Sequence, residues 1–62
     1  MEKITILEIN AMLLIAKVEA LKIKSQLPTS SSILKEVIVL IENIDDEIKQ
    51  LNLEWLNMKY DN

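Results

Sequence analysis

The chain has 62 residues, of which 50% are hydrophobic, and ten acidic against seven basic residues give a net charge of −3. It contains no cysteine, histidine or glycine. This composition excludes disulfide bonds, zinc sites built on thiolate or imidazole ligands, and glycine-rich phosphate loops. A domain of this size buries only about 60% of the surface that its unfolded chain exposes, and is marginally stable alone. The many aliphatic residues therefore predict association with another chain.

Helix 1 is predicted from about residue 3 to residue 26, and it carries two apolar stripes instead of one. Pro28 ends this helix, because proline disfavours the α conformation of the residue before it. At about 100° per residue, one stripe, which also fits a heptad, contains Ile4, Leu7, Ala11, Leu14, Val18 and Leu21. The opposite stripe contains Ile9, Met12, Leu13, Ala16, Ala20 and Ile23.

Two narrow polar strips are expected to separate the apolar stripes of helix 1. Glu8, Glu19 and Gln26 form one strip, and Asn10, Lys17 and Lys24 form the other. A helix with two apolar sides needs a neighbour on each side, and the chain has only one other long segment. At least one neighbour is therefore expected to come from a second polypeptide.

Helix 2 is predicted from about residue 32 to residue 58, after a loop over 27–31 whose hydroxyl groups offer several possible N-caps. So short a loop folds helix 2 back antiparallel on helix 1. A polar tail is expected over 59–62. The apolar residues of helix 2 step by three and four, which is coiled-coil spacing; this α2 seam comprises Leu34, Val37, Ile41, Ile44, Ile48, Leu51, Trp55 and Met58.

The predicted fold is a single all-α domain over residues 1–62, an antiparallel two-helix hairpin that dimerises into a four-helix bundle or docks into a larger helical assembly. Residues outside the hairpin contact are expected to meet the second chain. The predicted interface comprises Leu13, Ala16, Ala20, Ile23, Ile38, Val39, Trp55 and Met58. Trp55 has two interpretations, core packing, which its spacing favours, and an anchor for a partner.

The one dense acidic cluster, Glu42 and Asp45–Glu47, is interpreted as a solvated helix face. Adjacent carboxylates on a helix point about 100° apart, and Asp45 has Lys49 as a favourable partner one turn later. With no histidine or cysteine, the chain has almost no candidates for a general base or nucleophile. The sequence predicts no catalytic site, no metal site and no cofactor.

Lys3, Lys17 and Lys24 could form a thin basic strip, which leaves RNA binding as an alternative. By analogy of fold, a four-helix dimer could place such a strip on an RNA backbone, as a plasmid copy-number regulator does on the same architecture. The acidic net charge and the absence of arginine argue against nucleic acid. Pairing of these lysines with Glu or Asp on a neighbouring helix is the preferred interpretation.

A second alternative comes from the stretch Asp45-Asp46-Glu47-Ile48-Lys49. It is similar to the Ser-Gln-Glu-Leu-Asp signature on the second helix of the sporulation aspartyl-phosphate phosphatases, which are small bacterial helical hairpins. The glutamate and an aliphatic residue are kept, and lysine stands in place of the signature's aspartate. The resemblance covers five residues and implies a degenerate phosphatase-like hairpin.

The leading functional hypothesis is a small non-enzymatic interaction protein, such as a regulator, co-chaperone or inhibitor, that acts through helix–helix contacts. The longest apolar runs are far shorter than the roughly 20 residues of a membrane span. The N-terminus lacks the features of a signal peptide, so a cytoplasmic location is expected. The abundance of Lys, Ile and Asn hints at AT-rich coding and a bacterial or phage source.

Overall fold

The computed structural model describes the backbone of residues 2–61 and the side chains of residues 2–58. Within this part of the chain there are two α-helices, α1 over Lys3–Gln26 and α2 over Ile33–Asp61. The bounds of α1 coincide with those expected from the sequence. The helix α2 continues three residues beyond the expected end, so residues 59–61 extend the helix instead of forming a polar tail. No glycine or proline interrupts the chain there, which is consistent with this continuation. The last residue, 62, lies outside the described range.

The connection between the helices follows from Pro28 and from one serine. Leu27 is extended, with φ −84° and ψ 138°, as expected for a residue before proline. Its backbone N–H still donates to the carbonyls of Ile23 and Lys24, which closes the last turn of α1. On the other side of the loop, the Ile33 N–H donates to Ser31 Oγ at 3.2 Å. Ser31 is thus the hydroxyl residue that caps the start of α2.

The two helices pack against each other in antiparallel orientation. Two contacts fix this direction: Lys17 of α1 meets Asp45 of α2, and Lys3 near the start of α1 lies over the ring of Trp55 near the end of α2. The predicted all-α two-helix hairpin is confirmed. Its dimerisation into a four-helix bundle stays a prediction.

The contact between the helices buries few side chains. The buried residues are Ile6 and Ala20 of α1, and Val37, Ile44 and Leu51 of α2. The other members of the α2 seam are half-buried: Leu34, Ile41, Ile48, Trp55 and Met58. Every residue of the predicted α2 seam therefore lies at or beside the contact with α1, as its three-and-four spacing indicated.

The side of α1 that faces α2 combines a polar strip with one edge of the second apolar stripe. Polar residues recur on it every seven residues, with small or aliphatic residues between them. The buried and half-buried residues are Lys3, Ile6, Ile9, Asn10, Leu13, Lys17, Ala20 and, just beyond the helix, Leu27. The expectation that Asn10 and Lys17 lie between the contact surfaces was wrong, because α2 packs over them. Asp45 supplies Lys17 with a partner, and the long lysine side chain can pack its methylenes while its ammonium stays near water.

The result is an elongated molecule with an unusually large surface. It measures 50 × 14 × 12 Å and has an accessible surface of 4956 Å². A compact monomer of 7.2 kDa exposes about 4100 Å². The difference, about 850 Å², reflects the elongated shape, which leaves large aliphatic side chains of both helices exposed.

Candidate interaction surface

The largest unpartnered feature of the hairpin is one side of α1, which we call the heptad face. It consists of Ile4, Leu7, Ala11, Leu14, Val18 and Leu21, all of which are exposed. Leu14 and Val18, in the middle of the face, keep 47% and 51% of their surface accessible. In ideal helix geometry, the face lies about 100° around the helix axis from the side that contacts α2. That angle is close to the separation of two neighbours in a four-helix bundle.

A shallow depression of about 340 Å³ lies between the heptad face and its free flank. It is lined by Leu14, Ile15, Val18 and Glu19. Its wall is aliphatic except for Glu19, and it contains no histidine, cysteine or hydroxyl group. The depression offers a place for an aliphatic side chain and lacks the convergent polar groups of a catalytic or cofactor site.

Charged residues border the heptad face on the flank away from α2. Glu8, Ile15 and Lys22 lie along this flank at seven-residue spacing, with the acid near the helix N-terminus and the base near its C-terminus. Lys22 Nζ is 3.4 Å from Glu19 Oε1, and both side chains are more than 60% exposed. A pair so exposed contributes little to stability, so Lys22 remains accessible to a carboxylate on another chain.

The side of α1 that contacts α2 is more polar than the heptad face. Lys17 Nζ is 2.7 Å from Asp45 Oδ1, and these side chains are 34% and 41% exposed. The preferred interpretation of Lys17, pairing with an acid on a neighbouring helix, is therefore confirmed, and Asp45 uses Lys17 instead of Lys49. About two turns away along α1, Asn10 Oδ1 is buried with no hydrogen-bond partner among the described residues.

The predicted interface residues fall into two groups. Ala20 is 3% exposed within the single chain, so it has almost no surface left for a second chain; Leu13, Ile38 and Met58 are half-buried. Exposed members are Ala16, Ile23 and Val39. Whether any of them contacts another chain stays a prediction. Leu13 and Ala20 belong to the α1 side that packs on α2.

Trp55 lies at the open end of the hairpin and is half-buried. The Lys3 ammonium is 5.5 Å from the centre of its ring, within the range of a cation–π interaction. This contact places Trp55 opposite the start of α1, as the sequence suggested. The indole packs at the hairpin contact and still presents part of its surface to the outside, so both interpretations of Trp55 stay open.

The acidic residues of α2 do not converge. Among the described residues, no group of three or more His, Cys, Asp or Glu side chains is placed to hold a metal ion. Glu42, Asp46 and Glu47 are exposed, and Asp45 faces Lys17. Two lysines of the predicted basic strip make different contacts: Lys3 lies over the ring of Trp55, and Lys17 pairs with Asp45.

The sequence showed the polar strip of α1, in which Lys3, Asn10, Lys17 and Lys24 recur every seven residues. It did not show that Asn10 and Lys17 lie on the side that packs against α2, whereas Lys24 stays exposed. Polar residues at core positions of a coiled coil set register at a cost in stability.

In the described part of the chain, neither helix combines the length and hydropathy needed to cross a bilayer. Comparison of the chain with protein-family models, with curated proteins and with solved structures gave no match.

Proposed function

We propose that this chain is a small non-enzymatic protein-interaction module that acts through helix–helix contacts, and that it dimerises into a four-helix bundle. The observation that carries the proposal is the exposure of the entire heptad face of α1. A contiguous apolar surface of this kind marks an interaction site in a small water-soluble protein.

The contrast between the two sides of α1 supports the proposal. The side that contacts α2 includes an asparagine and lysines, whereas the heptad face is aliphatic throughout. Burial of aliphatic surface contributes about 25 cal/mol per Å². Covering the heptad face would therefore stabilise the protein more, per unit of buried area, than covering the more polar side that contacts α2.

The proposal is tested by a matched pair of leucine substitutions. Leu14→Gln places a polar side chain at the centre of the heptad face, where a dimer would bury it. Leu53→Gln makes the same change on α2, at a residue that is 56% exposed and lies on its polar outer side.

We expect multi-angle light scattering to show a dimer for the wild type and for Leu53→Gln, and a shift toward monomer for Leu14→Gln. The expected loss is at least tenfold in association constant, because two buried leucines per dimer are replaced. An equal effect of the two substitutions would contradict a role for the heptad face.

A further inference from the structure

We propose that the heptad face of α1 is covered by α1 of a second copy running antiparallel, in the register that places Glu8 beside Lys22 of the second copy. This inference rests on the proposed dimer and specifies its geometry. It has three supports: the distribution of charge along the flank, the position of the depression, and the sizes of the facing residues.

Glu8 and Lys22 on the free flank of α1 can pair between two copies in antiparallel orientation, in addition to the exposed contact of Lys22 with Glu19 of its own chain. Glu8 and Lys22 lie at equal distances, seven residues, on either side of Ile15. A twofold axis close to Ile15 brings each Glu8 next to Lys22 of the other copy and brings the two Ile15 side chains together. A parallel pair would instead keep the two Glu8 residues at one level along the pair and the two Lys22 residues at another, so that Glu8 of one copy could not reach Lys22 of the other.

The same axis passes through the aliphatic depression. The midpoint of the lining residues lies one or two residues along α1 from the axis. These residues are Leu14, Ile15, Val18 and Glu19. Each copy can therefore insert a side chain into the depression of the other. In an antiparallel coiled coil, each core layer pairs a residue at heptad position a of one helix with a residue at position d of the other. Here Leu14 would meet Val18 of the second copy.

Residue size fits the next layer out. Ala11, the smallest residue of the heptad face, would lie opposite Leu21 of the second copy, so a small side chain faces a large one. One flank of the heptad face is next to α2, so the free flank that carries Glu8, Ile15 and Lys22 is the one that meets the second α1. The four helices then form the bundle, with the two α1 helices in direct contact.

Cross-linking of single-cysteine variants tests the orientation, because the native chain has no cysteine. Glu8→Cys, Ile15→Cys and Lys22→Cys are treated with a short bismaleimide, alone and in mixtures. We expect Ile15→Cys to cross-link to itself, and Glu8→Cys to cross-link to Lys22→Cys in the mixture. Self-cross-linking of Glu8→Cys and of Lys22→Cys, without the mixed product, would establish a parallel pair and overturn the proposal.

A charge-reversal series tests the register independently. Glu8→Lys should raise the dimer dissociation constant about tenfold at low salt, since each dimer exchanges two attractive pairs for two repulsive ones. The control Glu42→Lys makes the same charge change on the outer side of α2 and should leave dissociation within about twofold. Glu8→Lys combined with Lys22→Glu should return the constant to within about threefold of the wild type.

The two proposals fail in different ways. A wild-type chain that light scattering finds monomeric would overturn both the dimer and its geometry. A stable dimer in which Glu8→Lys behaves like Glu42→Lys, or in which the mixed cross-link is missing, would overturn the antiparallel register and leave the dimer standing.

Discussion

At the scale of single residues, the hairpin contact is held by a few specific interactions and weakened by one. Lys17 pairs with Asp45, and Lys3 lies over Trp55, at two points along the helices. Between them, Asn10 buries a carbonyl oxygen without a partner. A buried polar atom left unsatisfied opposes folding by about 1–3 kcal/mol, a large amount in a molecule with so few buried residues.

Replacing Asn10 by leucine should stabilise the hairpin. The substitution removes the unpaired oxygen and puts an aliphatic side chain of similar length on the side that contacts α2. We expect the free energy of unfolding to rise by about 1–2 kcal/mol, measured by urea denaturation with circular dichroism. Asn43→Leu, at an exposed position of α2, is the control and should change it by less than about 0.5 kcal/mol. Destabilisation by Asn10→Leu would show that the amide has a structural role.

Trp55→Ala should lower the free energy of unfolding by about 3 kcal/mol, at the lower end of the range for buried aromatic residues because Trp55 is only half-buried. Part of the loss comes from the contact with Lys3, so Lys3→Gln should remove about 0.5–1 kcal/mol on its own. Chemical denaturation of both variants measures these values. A free energy of unfolding that Trp55→Ala leaves unchanged would favour the interpretation of Trp55 as a partner anchor.

At the scale of elements, the sequence predicted the helices well and the orientation of α1 poorly. Pro28 and the absence of other breakers determined the bounds of α1, and α2 has one unambiguous apolar seam. The helix α1 has two apolar stripes of similar strength, so its own pattern could not decide which side meets α2. Asp45 provides a partner for Lys17, and that contact between distant residues is not visible in local periodicity.

The start of α2 gives a prediction at this scale. Ser31 Oγ accepts a hydrogen bond from the Ile33 N–H, and Ser31→Ala would leave that donor without its cap. We expect a loss of about 1 kcal/mol in the free energy of unfolding. Ser30→Ala, one residue earlier in the exposed loop, is the matched control and should be nearly neutral. Equal losses in both variants would mean that Ser31 does not act as the cap.

At the scale of the whole molecule, the single hairpin buries little of its aliphatic surface. Among residues 2–58, five side chains are buried, while large aliphatic residues of both helices remain exposed. A second copy covering the heptad face would convert an exposed stripe into a core. The two-sided apolar pattern of α1 predicted exposed aliphatic surface on a single hairpin. It could not predict which residues of α1 meet α2, because that follows from how α2 docks.

Sedimentation equilibrium of the wild-type chain at several concentrations, paired with thermal melts of the same samples, tests the central claim most directly. We expect a mass twice that of the 7.2 kDa chain at micromolar concentration, and a melting temperature that rises with concentration because folding and association are linked. A folded species of single-chain mass, with a melting temperature independent of concentration, would contradict the account.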